Sequence, residues 1–200
     1  MIYTITFNPA VDLVIQVPNC QLGILNRSMG EEYVAGGKGI NMSIVLKRLG
    51  IDNTATGFLG GFSGNYIEEF LEKAGFVLLK NSSVVRDNLS ISGVDDWREG
   101  RPDFELEPID ATFSLLALHE PDTILDMETI KEFDLILSGH SHGGQIRIGN
   151  WRLRNKGSSS ADAGLYQLND RTKLYVNRGI GLTFLPIRFG VPPEIVYYYI

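Results

Sequence analysis

AGGKGINMSIVLKRLG, residues 35–50, is the stretch that decides the fold class. Its first half is a glycine-rich loop. Its second half is a helix, because Ile40, Ile44, Val45 and Leu49 recur at helical spacing and Gly50 stands where a helix stops. Toward the N-terminus, Ile2–Phe7 alternates β-branched and aromatic residues as a strand does, Asn8-Pro9 breaks it, and Leu13–Val17 is a second short strand. Toward the C-terminus, Thr54–Leu59 reads as a strand and Gly60-Gly61 as a turn. Tyr66–Ala74 then reads as a helix with Ile67, Phe70, Leu71 and Ala74 on one face, and Phe76–Leu79 as a short strand. Strand, loop, helix, strand is a βαβ pattern, so the chain is predicted to be α/β.

Beyond residue 80 the texture changes. Residues 80–112 are polar, with a short strand at Leu89–Ser92. Phe113–Leu118 and Asp134–Leu137 are apolar runs of buried-strand length. From Gln145 onward the signals are strands: Ile146–Ile148, Gly164–Leu168, Lys173–Asn177 and Glu194–Ile200, with Asn169–Arg171 as a hairpin loop. The expectation is a mixed α/β sandwich, βαβ-type in its N-terminal part and mostly β, antiparallel at the end, in its C-terminal part.

Composition excludes several classes. Apolar residues make up 44% and charged residues 21% of the 200 residues, which is ordinary for a globular chain. The net charge is −6, so no basic footprint for nucleic acid is implied. The single cysteine, Cys20, forbids a disulfide framework or a cysteine zinc site within one chain. No apolar run reaches the roughly 18 residues of a membrane span, and the N-terminus lacks a basic segment followed by an apolar one. A cytoplasmic protein is the expectation.

The loop Ala35–Asn41 is the first chemical feature. Adjacent glycines let a ligand approach the backbone, the following helix directs free N–H groups at the loop, and Lys38 adds a point charge. Those features suit an anionic or hydroxyl-rich ligand; glycine turns before helices are common, so the bare pattern by itself fits a tight turn with a solvated lysine better. FNPAVD, AGGKGINMSIVLKRLG and GFLGGFSGNYIEEFL together resemble the N-terminal third of a ribokinase-type sugar kinase of the 1-phosphofructokinase kind, over residues 1–72. The resemblance implies that Asn8, Asp12, Gly36, Gly37, Lys38 and Asn41 line a sugar-phosphate site, with Asp12 accepting from sugar hydroxyls. Such kinases also need a Gly-Ala-Gly-Asp-type helix start, whose amides hold phosphate charge and whose aspartate is the base. Residues 73–200 contain no G-x-G-D, so kinase activity is not expected.

The second feature is the set of three histidines, His119, His140 and His142, each at the end of an apolar run, in LLALHEPD and LILSGHSHGGQ. Ligands collect at strand ends in α/β sheets. His140 and His142 are two apart, so in an extended segment they share a side. Imidazole suits zinc, iron or, less well, manganese. GVDDWREGRPD, LLALHEPD, FDLILSGHSHGGQIRI, AGLYQLNDRTKLYVNRGIG and LPIRFGVPPEI resemble, in order, the C-terminal half of a calcineurin-like metallophosphoesterase over residues 73–200. That resemblance implies two-metal hydrolysis of phosphate esters, with His119, His140 and His142 as the last three ligands.

The family's earlier ligands come from D-x-H, G-D-x-x-D and G-N-H-[DE] motifs. No histidine precedes position 119, and Tyr66 follows Gly64-Asn65 where a histidine is needed. Without a bridging carboxylate, two unit charges ~4 Å apart repel by ~4 kcal/mol at an effective dielectric near 20, and two dications by about four times that. The expectation is therefore a chimera of two half-enzymes, divided near residue 72 or merged into one domain. It binds a divalent ion (manganese, zinc or iron) weakly or below one per chain, and turns over little or no phosphate ester. Two alternatives stand beside it. One is a phosphoesterase completed by a partner chain or by carboxylates such as Asp12, Asp95 or Asp96. The other is a binder of fructose 1-phosphate or another small phosphorylated molecule. Arg188 is a further phosphate candidate, and Trp97 and Trp151 are expected to pack in the core or at its rim.

Overall fold

In the computed structural model, residues 2–6, 9–57, 61–73, 76–182 and 186–199 are described, and the chain divides into two compact units, residues 1–78 and 79–200. Among the described residues no helix is long and apolar enough to cross a membrane.

The first unit begins with β1 (Ile2–Thr6), β2 (Ala10–Gln16) and β3 (Gly30–Gly36), followed by α1 (Lys38–Arg48), β4 (Asn53–Gly57) and α2 (Gly61–Lys73). β1 and β4 pair in parallel, with α1 in the connection between them and packed on both. β2 and β3 form a separate antiparallel pair that carries α2. The core is Ala35, Ile40, Ile67 and Leu71, flanked by Val11, Ile44, Phe70, Phe76 and Leu78. Ile40 and Ile44 on α1, and Ile67 and Leu71 on α2, are each four apart, which places each pair on one helical face. α1 ends in Lys47 and Arg48, basic residues that suit the negative end of the helix dipole.

The predicted βαβ pattern is present. Helix α2 starts at Gly61, where a turn was expected, and Phe76–Leu79 is not a strand. The strand β3 was not anticipated. Residues 58–60 and 74, the ends of two predicted elements, lie outside the described residues.

The second unit is built on one six-stranded sheet. Its strands are β5 (Ser82–Arg86), β6 (Leu89–Gly93), β7 (Phe113–Ala117), β8 (Leu135–Ser138), β11 (Gly164–Gln167) and β12 (Lys173–Val176). A two-stranded pair, β9 (Arg147–Ile148) with β10 (Trp151–Arg152), stands apart from it. The sheet order is β11-β12-β8-β7-β6-β5. β6, β7, β8 and β12 run in parallel, and only the edge strands β5 and β11 are antiparallel to their neighbours. The expectation of an antiparallel ending is thus corrected: β12 turns back along β11 through the predicted Asn169–Arg171 loop but joins β8 in parallel. Glu194–Tyr199 forms no strand.

Leu116, Ile136, Leu174 and Val176 point from the parallel strands into one core with Val94, Leu118, Ile124, Met127, Phe133 and Ala161. That core is covered by crossovers made of loops and short 3-10 turns, Pro121–Leu125 and Glu128–Glu132. All the parallel strands therefore end at one edge of the sheet, where the histidines lie.

Candidate metal centre

The site is assembled at the ends of β7 and β8. β7 runs on through Leu118, whose N–H donates to the Leu137 carbonyl at 3.0 Å. The next residue, His119, is fixed at its carbonyl by Gly139 N–H at 3.2 Å and by the Ser138 hydroxyl at 2.8 Å. β8 ends at Ser138, and the chain turns sharply through Gly139–Gln145. In that turn His140, His142 and Gln145 have φ of 63°, 50° and 51°. Left-handed backbone on non-glycine residues costs of order 1–3 kcal/mol each and persists where surrounding structure enforces it. Here the Ser141 hydroxyl donates to the Asp162 carbonyl at 2.6 Å and the Gln145 amide to the Ile187 carbonyl at 2.9 Å.

The turn brings two of the three histidines together. His140 Nδ1 lies 3.1 Å from His119 Nε2, with the rings edge to face at 4.8 Å. Such a separation suits two donors to one tetrahedral ion, whose zinc–nitrogen bonds are ~2.0–2.1 Å. Glu120 completes the cluster: one donor atom from each of His119, Glu120 and His140 lies within 4.8 Å of the others. Two imidazoles and a carboxylate are a hard-to-borderline donor set that fits zinc, iron or manganese. His142 is not part of this cluster. It is not extended with His140 as the spacing predicted, and its Nδ1 sits 3.5 Å from an Arg188 guanidinium nitrogen.

Electrostatics favour the unprotonated ring that a metal requires. Burial, then the neighbouring His140, pulls the His119 pKa down to about 4. Burial, then Arg188, lowers that of His142. Glu120 is 1% exposed; burial, then Asp96, raises its pKa, and its carboxylate accepts from the Trp97 N–H at 3.3 Å. Sequence reasoning passed over Glu120. Its signal was present in LLALHEPD, a carboxylate directly after a strand-end histidine.

The other carboxylates are engaged in their own loop. Asp95 accepts from Asp96 and Arg101 N–H, both at 2.9 Å. Asp96 accepts from Arg98 and Glu99 N–H at 2.9 and 2.7 Å. Arg188 donates to the carbonyls of Arg178 and Gly181 at 3.1 and 2.6 Å. Trp97 is half-buried with its indole on Asp126, whereas Trp151 is 59% exposed rather than packed.

In the first unit, Asp12 on β2 stands against Gly36 at the end of β3. A Cβ on Gly36 would fall 2.3 Å from the exposed Asp12 carboxylate, so a larger residue there would push that side chain aside. Gly37, at φ 122°, caps α1, accepting the Asn41 N–H at 2.9 Å, and Lys38 begins the helix exposed. Asp12, Gly36, Gly37, Lys38 and Asn41 thus collect at one helix start. Asn8 lies outside the described residues. Tyr66, which stands where the metal motif needs a histidine, lies on α2 and donates to the Tyr33 carbonyl at 2.7 Å.

Comparison with known proteins finds likeness to two families. Residues 5–89 match the pfkB family carbohydrate kinases. D-tagatose-1-phosphate kinase of Bacillus licheniformis is 44% identical over 94 residues, 47% of this chain and 28% of that protein. 1-Phosphofructokinase of Borreliella burgdorferi is 52% identical over 75 residues, 38% of this chain and 24% of that one. An uncharacterized metallophosphoesterase, YkuE of Bacillus subtilis, is 35% identical over 149 residues, 70% of this chain and 51% of that protein. The chain resembles two families in series. It spans about a quarter of the kinase relatives' length and about half of the metallophosphoesterase's. The metallophosphoesterase match takes a larger share than residues 73–200 make up, and the kinase match runs to residue 89, so the two resemblances overlap.

Proposed function

We propose that the metallophosphoesterase-like part of this chain binds one divalent cation (zinc, manganese or iron) and hydrolyses phosphate esters slowly or not at all. The observation that carries the reading is the approach of His119 Nε2 to His140 Nδ1 beside the buried Glu120. His119, Glu120 and His140 would hold the ion. When bound, the ion would polarise a phosphate oxygen or acidify a water. His142 enters the proposal from the family resemblance, with Arg188 beside it as a partner for a phosphate oxygen. No histidine precedes His119 in these 200 residues, which is why one ion is proposed and not a bridged pair. The division into residues 1–72 and 73–200 belongs to the same proposal. Zinc titration of the full chain by calorimetry tests it. Wild type is expected to bind and His140→Ala to lose at least tenfold in affinity; equal binding by the two proteins would dismiss the site.

A second reading is favoured by Asp12 standing over Gly36 at the start of α1. The kinase-like part would bind a small sugar phosphate without phosphoryl transfer, Asp12 taking sugar hydroxyls and Lys38 the phosphate. Calorimetry with fructose 1-phosphate should give a binding isotherm that Lys38→Ala weakens. A flat wild-type titration would dispose of this reading.

A further inference from the structure

The loop Asn155–Ser160 is anchored far more heavily than its polar, serine-rich sequence suggests. Asp122, in the 3-10 turn Pro121–Leu125, takes four hydrogen bonds from it. Ser159 N–H and hydroxyl donate to Oδ2 at 2.8 and 2.7 Å, and Ser160 N–H and hydroxyl donate to Oδ1 at 2.7 and 2.6 Å. The Asp122 N–H donates in turn to the Gly157 carbonyl at 3.0 Å, and the Asn155 amide donates to the His140 carbonyl at 3.2 Å. Gly157, at φ 94°, is pressed so close that a Cβ there would sit 2.8 Å from Glu120 Cγ and 3.6 Å from His140 Nε2. One product of this anchoring touches the site: the Lys156 carbonyl lies 2.8 Å from His140 Nε2.

A carbonyl can only accept. The neutral His140 ring therefore carries its proton on Nε2 and leaves Nδ1 bare. Nδ1 is the atom that faces His119 Nε2. Two bare nitrogens cannot share a 3.1 Å contact, so with both rings neutral His119 donates from Nε2. For His119 to offer Nε2 to a cation, its proton must move to Nδ1; for His140 nothing has to change. His140 is thus already set for Nδ1 ligation by a backbone group, in the way outer-sphere partners orient metal-binding imidazoles.

We propose that Asp122 is a positioning residue for His140, holding the Asn155–Ser160 loop so that the Lys156 carbonyl fixes the Nε2–H tautomer and presents Nδ1 to a divalent cation. The inference rests on the metal-binding reading above, but its first consequence is visible without any ion. In the ion-free full chain labelled with ¹⁵N-histidine, two-bond ¹H–¹⁵N correlation spectra at neutral pH should show His140 protonated on Nε2. Asp122→Asn, which replaces two acceptor sites by a donor facing N–H groups, should return the ring to a mixture of tautomers. It should also weaken zinc binding about tenfold or more. If that variant does not fold, Ser160→Ala, which removes one of the four bonds, should move the same signal in the same direction by less. A wild-type ring protonated on Nδ1, or a folded Asp122→Asn protein with an unchanged tautomer, overturns the inference. An intact Nε2–H signal in a protein that takes up no zinc upholds the positioning role and removes only the metal reading.

Discussion

Asp134, at the start of β8, shows how much one side chain sets at the edge opposite the histidines. Its carboxylate receives Arg171 through two nitrogens, at 2.7 and 3.1 Å, and Ser114 through N–H and hydroxyl, both at 2.8 Å. It therefore ties the beginning of β7 and β8 to the hairpin before β12. The Arg171 hydrogen bonds, which outweigh the cost of burial, bring its pKa down to about 2. A carboxyl lowered on folding stabilises the fold at any pH above its unfolded value, and that contribution drains away as pH falls from about 4 to about 2. Asp134→Asn should accordingly cost roughly 1 kcal/mol at neutral pH, after allowance for solvent screening of the partly exposed arginine. The deficit should shrink as pH falls from about 4 toward 2, where the folded-state carboxyl is about half protonated, and vanish only below that. Urea unfolding of the two proteins across that range measures it; a deficit independent of pH would assign the loss to shape rather than to charge.

At the scale of elements, legibility followed burial. β7 and β8 were read from their apolar runs, because Leu116, Leu118 and Ile136 are among the most buried residues of the sheet. α1 was read from its spacing, and the β11–β12 turn from Asn169, whose side chain accepts from Arg171 and Thr172 N–H at 2.9 and 2.8 Å. β3 was missed because GEEYVAG is largely exposed and owes its extended form to a seven-residue ladder with β2, a partner the local sequence does not reveal. β5, SSVVR, was missed for the same reason: its pairing with β6 decides it. Glu194–Tyr199 misled in the opposite way. Its alternation is real, with Ile195, Tyr197 and Tyr199 exposed at 72%, 80% and 98%. What it packs with is side chains: Glu194 binds the Tyr175 hydroxyl and Arg178, and the Tyr198 ring lies against Tyr175 at 5.7 Å. The site was legible as a set of residue types at strand ends. Which two histidines meet was not, because left-handed backbone at His140 and His142 removes the two-residue periodicity on which that reading depended.

For the whole molecule, the two resemblances correspond to two kinds of chemistry that need different inventories. Sugar-phosphate recognition uses a glycine-lined helix start and a carboxylate, and residues of both kinds meet in the first unit at Asp12, Gly36 and Gly37. Two-metal hydrolysis needs acidic bridging ligands as well as imidazoles. In the second unit the described donors that converge are His119, Glu120 and His140. Under the proposed reading those three donors would hold one cation and leave none over for a second. The most direct measurement is therefore the number of divalent ions retained per chain, by elemental analysis of the folded protein after equilibration with excess zinc and desalting. The account predicts no more than one ion in wild type and none in His119→Ala/His140→Ala. Two ions per chain, or one that survives the double substitution, would contradict it.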